Sequence, residues 1–352
     1  MPSSLNAFSE GDILLAKVTP CFENGNIAIA SNLLTGVGLC STELFVLRIH
    51  SDKILPEYLM LLLQDDQFKK EAKSYMRGTG GLKRIPTDWL MSRKFLIPSL
   101  KHQRLIIQAM SSSDSLIQDI QKGFKETLDR LSSYRQSLIT RAVTKGLDGD
   151  HQTSFIPLKY LAKLNPDVEQ AMSDEIEYLP MEKVKNGMFL HHSDKLANLP
   201  PSLNSFEDGD ILLAKVTPCF ENGNICLAEN CKGGVGRCST ELFVLRPNPQ
   251  KVMPKFLMLL LQTQSFKQEA ACQMRGTGGL KRIPADWLCN YKFPIPSLEK
   301  QKQIVEYMAS KHSNLDGLTK KIKDSICLLN DYRSSLISAA VTGQLAIEEA
   351  EE

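Results

Sequence analysis

The sequence predicts an α+β protein made by duplication: two mixed α/β globular units, each followed by a long helix, with the two helices paired as an antiparallel coiled coil. Three observations predict it. Gly11–Ile27 returns unchanged as Gly209–Ile225, and the same offset of 198 residues carries Met76 onto Met274 and Tyr134 onto Tyr332 without insertion or deletion. Lys101–Gly146 and Glu299–Gln344 contain no proline and carry apolar residues at steps of three and four, a helical stripe with near-heptad character. Short β-branched and apolar runs bounded by Thr-Pro and Asn-Gly signals fill the rest of each unit.

In chain order, Asp12–Val18 and Asp210–Val216 read as strands ended by Thr-Pro. Asn24-Gly25-Asn26 is a turn signal, and Ile27–Ala30 is the returning strand. Glu43–Arg48 and Glu241–Arg246 read as further strands. Glu57–Ala72, after Pro56, has helical spacing through Tyr58, Leu61, Leu62 and Phe68. The run Met76–Pro86, repeated unchanged as Met274–Pro284, is a glycine-rich loop; Trp89 or Trp287 follows, then a short strand at Lys94–Ile97 or Lys292–Ile295. An unbroken helix over the next stretch would be roughly 60–70 Å long, too long to hide its stripe within one small unit. The predicted seam is Ile117, Ile120, Phe124, Leu128, Leu131 and Leu138 against Leu315, Leu318, Ile322, Ile326, Leu329 and Leu336, with Tyr134 and Tyr332 on the same stripes. The resulting division is 1–98 and 147–296 for the globular units, 99–146 and 297–345 for the helices, and 346–352 for an acidic tail.

The units are unequal. Strand-like Phe155–Leu158 and the segment Ile176–Met188 precede the second repeat, whereas the first unit contains nothing equivalent to His151–Asn198. The expectation is a first unit incomplete at its N-terminal side, with an open strand edge along Asp12–Val18.

At 352 residues the chain has room for two or three domains, and 42% hydrophobic with 23% charged residues is ordinary for a globular protein. No apolar run reaches membrane-span length, and Met1-Pro2-Ser3-Ser4 does not open a signal peptide. Nine cysteines, an odd number without framework spacing, fit free thiols in a reducing cytoplasm. A net charge of +2 gives no global argument for nucleic acid, so that case rests on local patches.

The loops carry the strongest local signals. Gly-Thr-Gly-Gly flanked by Arg77, Thr79, Lys83 and Arg84, and again by Arg275, Thr277, Lys281 and Arg282, offers backbone N–H groups, a hydroxyl and cations to phosphate oxygens. Its spacing matches neither a nucleotide-binding P-loop nor a dinucleotide fingerprint, and a plain glycine turn with solvated cations would read the same way. Lys17 and Thr19, with Lys215 and Thr217, sit at strand ends. Asn24, Asn26, Asn222 and Asn224 have side chains able to read base edges, although asparagine beside glycine is also simply turn chemistry. Cys219, Cys226, Cys231 and Cys238 could be read as zinc ligands. The first unit keeps only Cys21 and Cys40 of the four, with Ala28 and Leu33 in the other places, so no metal is expected. His191-His192 reads as surface. No Ser/His/Asp set, nuclease carboxylate–lysine pattern or methyltransferase Asn-Pro-Pro-Tyr motif appears, so no catalytic centre is expected.

Gly11-Asp12-Ile13-Leu14 and its copy, Ile97-Pro98-Ser99-Leu100 with Gln103, Ile295-Pro296-Ser297-Leu298 with Gln301, and Tyr332–Thr342 together resemble the specificity subunit of type I restriction–modification systems. The resemblance covers nearly the whole chain. It implies two target recognition domains, each reading half of a bipartite site in double-stranded DNA, with the helices as a spacer. It also implies modification subunits that bind S-adenosylmethionine and restriction subunits that use ATP and Mg, around a specificity subunit that is itself non-catalytic. Two alike domains imply like half-sites. The alternative is a coiled-coil assembly adaptor that does not bind DNA.

Overall fold

The structure, a computed structural model, describes residues 5–49, 52–79, 81–147, 153–168, 174–185, 187–277 and 279–345. The chain divides into two units: Met1–Thr127 with Lys320–Glu352, and Leu128–Thr319.

The first unit contains β1 (Leu5–Ser9), β2 (Ile13–Ala16), β3 (Ile27–Ile29), β4 (Val37–Ser41), β5 (Leu44–Leu47), α1 (Pro56–Gln64), α2 (Asp66–Tyr75), α3 (Thr87–Ser92) and the start of α4 (Leu100–Lys145). Its sheets are the antiparallel pair β1-β4 and the three-stranded β3-β2-β5. The single helix expected over Glu57–Ala72 is two. Asp65 breaks it, with extended backbone and a carboxylate that accepts from the Gln67 and Phe68 amides at 3.1 and 3.2 Å, capping α2.

The second unit contains β6 (Ser154–Pro157), β7 (Ala162–Leu164), β8 (Glu175–Leu179), β9 (Val184–Lys185), β10 (Met188–Phe189), β11 (Ser193–Lys195), β12 (Asn204–Glu207), β13 (Ile211–Ala214), β14 (Ile225–Leu227), β15 (Val235–Cys238) and β16 (Leu242–Pro247). It continues with α5 (Pro254–Leu261), α6 (Gln264–Gln273), α7 (Ala285–Asn290), β17 (Lys292–Ile295) and most of α8 (Leu298–Val341). Two four-stranded sheets, β14-β13-β16-β7 and β11-β8-β15-β12, make its frame. All four residues of β13 are buried, because alternate side chains enter different cores. Ile211 and Leu213 join the core shared with Phe256, Phe266, Ile304 and Met308, while Leu212 and Ala214 join a second core with Phe206, Cys238 and Val244.

The two units differ beside β6 and β7 of the second. Lys292–Ile295 is a strand because it pairs with Ser154–Pro157, whereas Lys94–Ile97, expected to be a strand, is irregular. The expected open edge is also elsewhere. β2, within Asp12–Val18, is the central strand with β3 and β5 on either side; among the described residues β4 and β5 have no second strand neighbour, whereas their counterparts β15 and β16 pair with β8 and β7.

Each long helix starts with the same device. Ser99 Oγ accepts from the His102 amide at 3.3 Å, an N-cap. Gln301, fully buried, accepts from the Met253 amide at 2.8 Å and donates to the Lys251 and Pro296 carbonyls at 3.0 Å each; Gln103 does the same with Leu55, Lys53 and Pro98.

Within each unit the two helices run antiparallel. In the first, Arg333 donates twice to Asp114 at 2.8 Å, and Gln121 donates to Asn330 at 2.8 Å, so numbers rise on one helix as they fall on the other. In the second, Arg135 pairs with Asp316, and Ile139, Ala142 and Val143 share a core with Ile304 and Met308. Ile117 and Leu315 are buried; Phe124, Leu128, Leu131, Leu138, Ile322, Ile326, Leu329 and Leu336 are half-buried. Ile120 and Leu318, placed in the predicted seam, are exposed, as are Tyr134 and Tyr332. The half-buried residues one step on are polar: Gln121, Arg135, Thr319 and Arg333. With them the stripe becomes 117, 121, 124, 128, 131, 135, 138, a regular alternation of four and three that apolarity alone does not reveal.

Candidate nucleic-acid interface

In the second unit the chain leaves β13 through Lys215 and Val216 into the Thr217-Pro218 turn. Thr217 Oγ1 donates to the Gly279 carbonyl at 2.8 Å and accepts from the Lys281 amide at 3.0 Å, and the Thr217 amide donates to the Lys281 carbonyl at 2.9 Å. The glycine-rich loop is thereby stitched to the end of the strand. It is a hairpin closed by mutual backbone hydrogen bonds between Arg275 and Arg282 at 2.9 and 2.8 Å. Gly276 has φ +147°, and a Cβ there would lie 2.3 Å from the Leu280 carbonyl oxygen, so the loop closes only with glycine. The first unit repeats the geometry, with Thr19 Oγ1 2.7 Å from the Gly81 carbonyl and 2.9 Å from the Lys83 amide. Gly80 and Gly278, part of the predicted loop, lie outside the described residues.

The predicted residues divide by what the fold does with them. Arg77, Thr79 and Lys83, and likewise Arg275, Thr277 and Lys281, are exposed on the hairpin. Asn24, Asn26 and Asn222 are exposed and Asn224 is half-buried, on the turn that Gly25 and Gly223 make at φ +73°. Thr19 and Thr217 do not serve as expected: both are buried, and their hydroxyls are used within the fold to hold the hairpin. Lys17 and Lys215 are half-buried, their ammonium groups 5.3 and 5.5 Å from the ring centres of Phe45 and Phe243. Arg282 donates from Nε and Nη2 to Glu241 at 2.9 and 2.7 Å, and Arg84 to Glu43 at 2.9 and 2.8 Å. These bidentate bonds hold both carboxyls below their ordinary range and both guanidiniums above theirs. In sequence the arginines read as free cations, and Glu43 and Glu241 as members of the polar clusters Ser41-Thr42-Glu43 and Ser239-Thr240-Glu241 at a strand start; nothing tied them to arginines 41 positions further on.

Among the described residues no group of three or more His, Cys, Asp or Glu side chains is placed to hold a metal. Cys226, Cys231 and Cys238 lie in the second core instead, and burial pushes the Cys226 thiol up to about 12 and the other two further in the same direction. No helix among the described residues is long and apolar enough to cross a membrane.

Two α+β globules, each presenting a cationic hairpin and an asparagine turn and each built on an antiparallel pair of long helices, define a class of protein that presents loops on a helical frame. Residues 202–327 match the type I restriction modification DNA specificity domain. The chain is 30% identical over 201 residues to the EcoEI specificity subunit of Escherichia coli, which covers 56% of this chain and 34% of that one. It is 24% identical over 362 residues to the putative MjaX specificity subunit of Methanocaldococcus jannaschii, covering 96% and 79%. A solved chain described under the complex assembly and conformational transition of the type I R-M system shares the fold at TM-score 0.72 and 19% identity, over 98% of this chain and 85% of that one. The second repeat is thus similar to the type I restriction modification DNA specificity domain, and the chain as a whole is similar to specificity subunits of type I systems. It spans about a third of the length of the Escherichia coli relatives it matches.

Proposed function

We propose that this chain is the DNA sequence-reading subunit of a type I restriction–modification complex. It reads a bipartite site, one half with each globular unit, and it positions modification and restriction subunits without a catalytic centre of its own. In this reading S-adenosylmethionine, ATP and Mg are bound by those partner subunits. The observation that carries it is the twofold recurrence of one surface: an exposed Lys–Arg hairpin, suited to phosphates, joined through a threonine to a turn with asparagines suited to base edges. Like surfaces in the two units favour like half-sites.

Selection of bound duplexes from a random-sequence pool by the purified chain, followed by binding measurements over a salt series, tests it. The expected result is an enriched bipartite sequence with a steep fall of affinity with salt. An assembly adaptor would enrich no sequence and show no salt-dependent DNA binding.

A further inference from the structure

One ion pair of the duplicated helices is closed in the first unit and rearranged in the second. In the first, Arg333 donates from Nε and Nη2 to the Asp114 carboxylate at 2.8 Å each, and from Nη2 to Gln64 Oε1 at 3.4 Å. The offset of 198 carries Arg333 onto Arg135, Gln64 onto Gln262 and Asp114 onto His312. The second unit therefore keeps the arginine and the glutamine and loses the carboxylate. Arg135 bonds Asp316 instead, one helical turn beyond His312, through Nη2. Among the described residues no carboxylate takes its Nε.

Arg135, His312 and Gln262 line a cavity of about 430 Å³ within the second unit, in the size range of small-molecule sites. Helices α4, α5 and α8 all contribute to it, and Ile139, Met258, Leu259 and Met308 give it apolar walls. Buried polar atoms are normally paired. Two on the lining residues, His312 Nε2 and Gln136 Oε1, are buried and have no hydrogen-bond partner among the described residues. Burial, and then the Arg135 guanidinium, hold His312 below its ordinary 6.5, with Asp316 opposing, so the imidazole is neutral at pH 7. Exposed Lys255, where the first unit has Glu57, makes the lining more positive, although it also pairs with Glu229 at 3.0 Å. Asp316, in the place of Gln118, acts in the other direction.

We propose that this cavity is a binding site for a small monocarboxylic acid with an apolar body, whose carboxylate takes the place that the Asp114 side chain holds in the first unit. The acid accepts from Arg135 Nε and from His312 Nε2, and its body lies among Met258, Leu259 and Met308. The Gln136 amide, turned end for end, offers an N–H to the same carboxylate. Hydrogen bonds from a guanidinium to a carboxylate are charge-assisted and among the strong ones. A carboxylate beside His312 favours the imidazolium, so binding takes up a proton from solvent. Because the lining comes from α4, α5 and α8, the ligand braces the helix pair against the globule of the second unit. The site rests on the comparison of the two repeats and is independent of DNA reading.

The test titrates the full chain with hexanoate and benzoate, and with hexanamide and benzamide as uncharged controls, by calorimetry, and follows the imidazole signals by NMR. The expected result is one acid bound per chain, about tenfold or more tighter than the matching amide, with the second unit's melting temperature raised. Affinity should fall as pH rises from about 6 to about 8, and the His312 imidazole should titrate at a higher pH with acid bound than without. His312→Asp restores the internal carboxylate of the first unit. It should abolish acid binding and by itself raise the second unit's melting temperature, which separates loss of binding from loss of fold. Amides that bind as tightly as the acids would overturn the proposal, as would acid binding unchanged in His312→Asp. So would a parent chain whose His312 signals and melting temperature are indifferent to either acid up to its solubility limit.

Discussion

Glu241 grips Arg282 through both carboxylate oxygens, at 2.9 Å to Nε and 2.7 Å to Nη2, and Glu43 grips Arg84 in the same way in the first unit. One arginine in each hairpin is thereby neutralised, while the neighbouring Lys281 or Lys83 stays exposed. Glu241→Gln should free Arg282 to meet phosphate. Non-specific duplex binding should tighten several-fold at low salt, and the slope of log affinity against log salt should steepen by about one. Fluorescence anisotropy across a salt series measures both; an unchanged slope would show that Arg282 does not reach the backbone.

Lys281→Ala and Arg275→Ala remove exposed hairpin cations. Each should weaken binding to all duplexes alike and flatten the salt slope by about 0.9. Asn222→Ala should leave the slope alone and change which bases are preferred, read by repeating the pool selection. If Lys281→Ala changes base preference and not the slope, the hairpin has been assigned the wrong partner.

The architecture was legible because duplication doubles every signal: a strand, turn or helix seen twice at one offset is unlikely to be noise. The candidate loop was legible as a composition of glycine and cations. Its internal wiring was not. Thr217 reads as a polar residue at a strand end, and only the fold brings it to Lys281, 64 positions along the chain. The seam failed at Ile120 for a related reason. Apolarity pointed to 120, whereas the helix repeat puts Gln121 at the interface, where it bonds Asn330. The open edge was assigned to β2 because strand order cannot be read from sequence; β2 lies between β3 and β5.

Gln301 is a sharper test of the helix start. Its side chain is fully buried and serves the Met253 amide and the Lys251 and Pro296 carbonyls. Gln301→Met keeps the volume but leaves buried groups without partners, at a cost of about 2–4 kcal/mol. Thermal denaturation should show the second unit melting earlier while the first is unchanged, and the mirror variant Gln103→Met should reverse the order. Equal melting of both variants and the parent would mean that water substitutes for the amide.

Asp12 and Arg48 give a pH signature. Two hydrogen bonds from Arg48, at 2.9 Å from Nε and 2.7 Å from Nη2, hold the buried Asp12 carboxyl below its ordinary 3.8, outweighing the opposing effect of burial. A carboxyl with a depressed folded-state value stabilises the fold fully above the ordinary value, and that contribution fades as pH falls through the folded one. The first unit should therefore lose stability as pH drops below 3.8. Asp12→Asn should remove this limb of the acid transition. At neutral pH it should cost the unit about 1 kcal/mol, a modest figure because the Arg48 guanidinium is largely in solvent. Hydrogen exchange of the β2, β3 and β5 amides, measured from neutral pH down through this range, reads the two effects separately. An acid limb of equal depth in the variant would show that carboxyls other than Asp12 carry it.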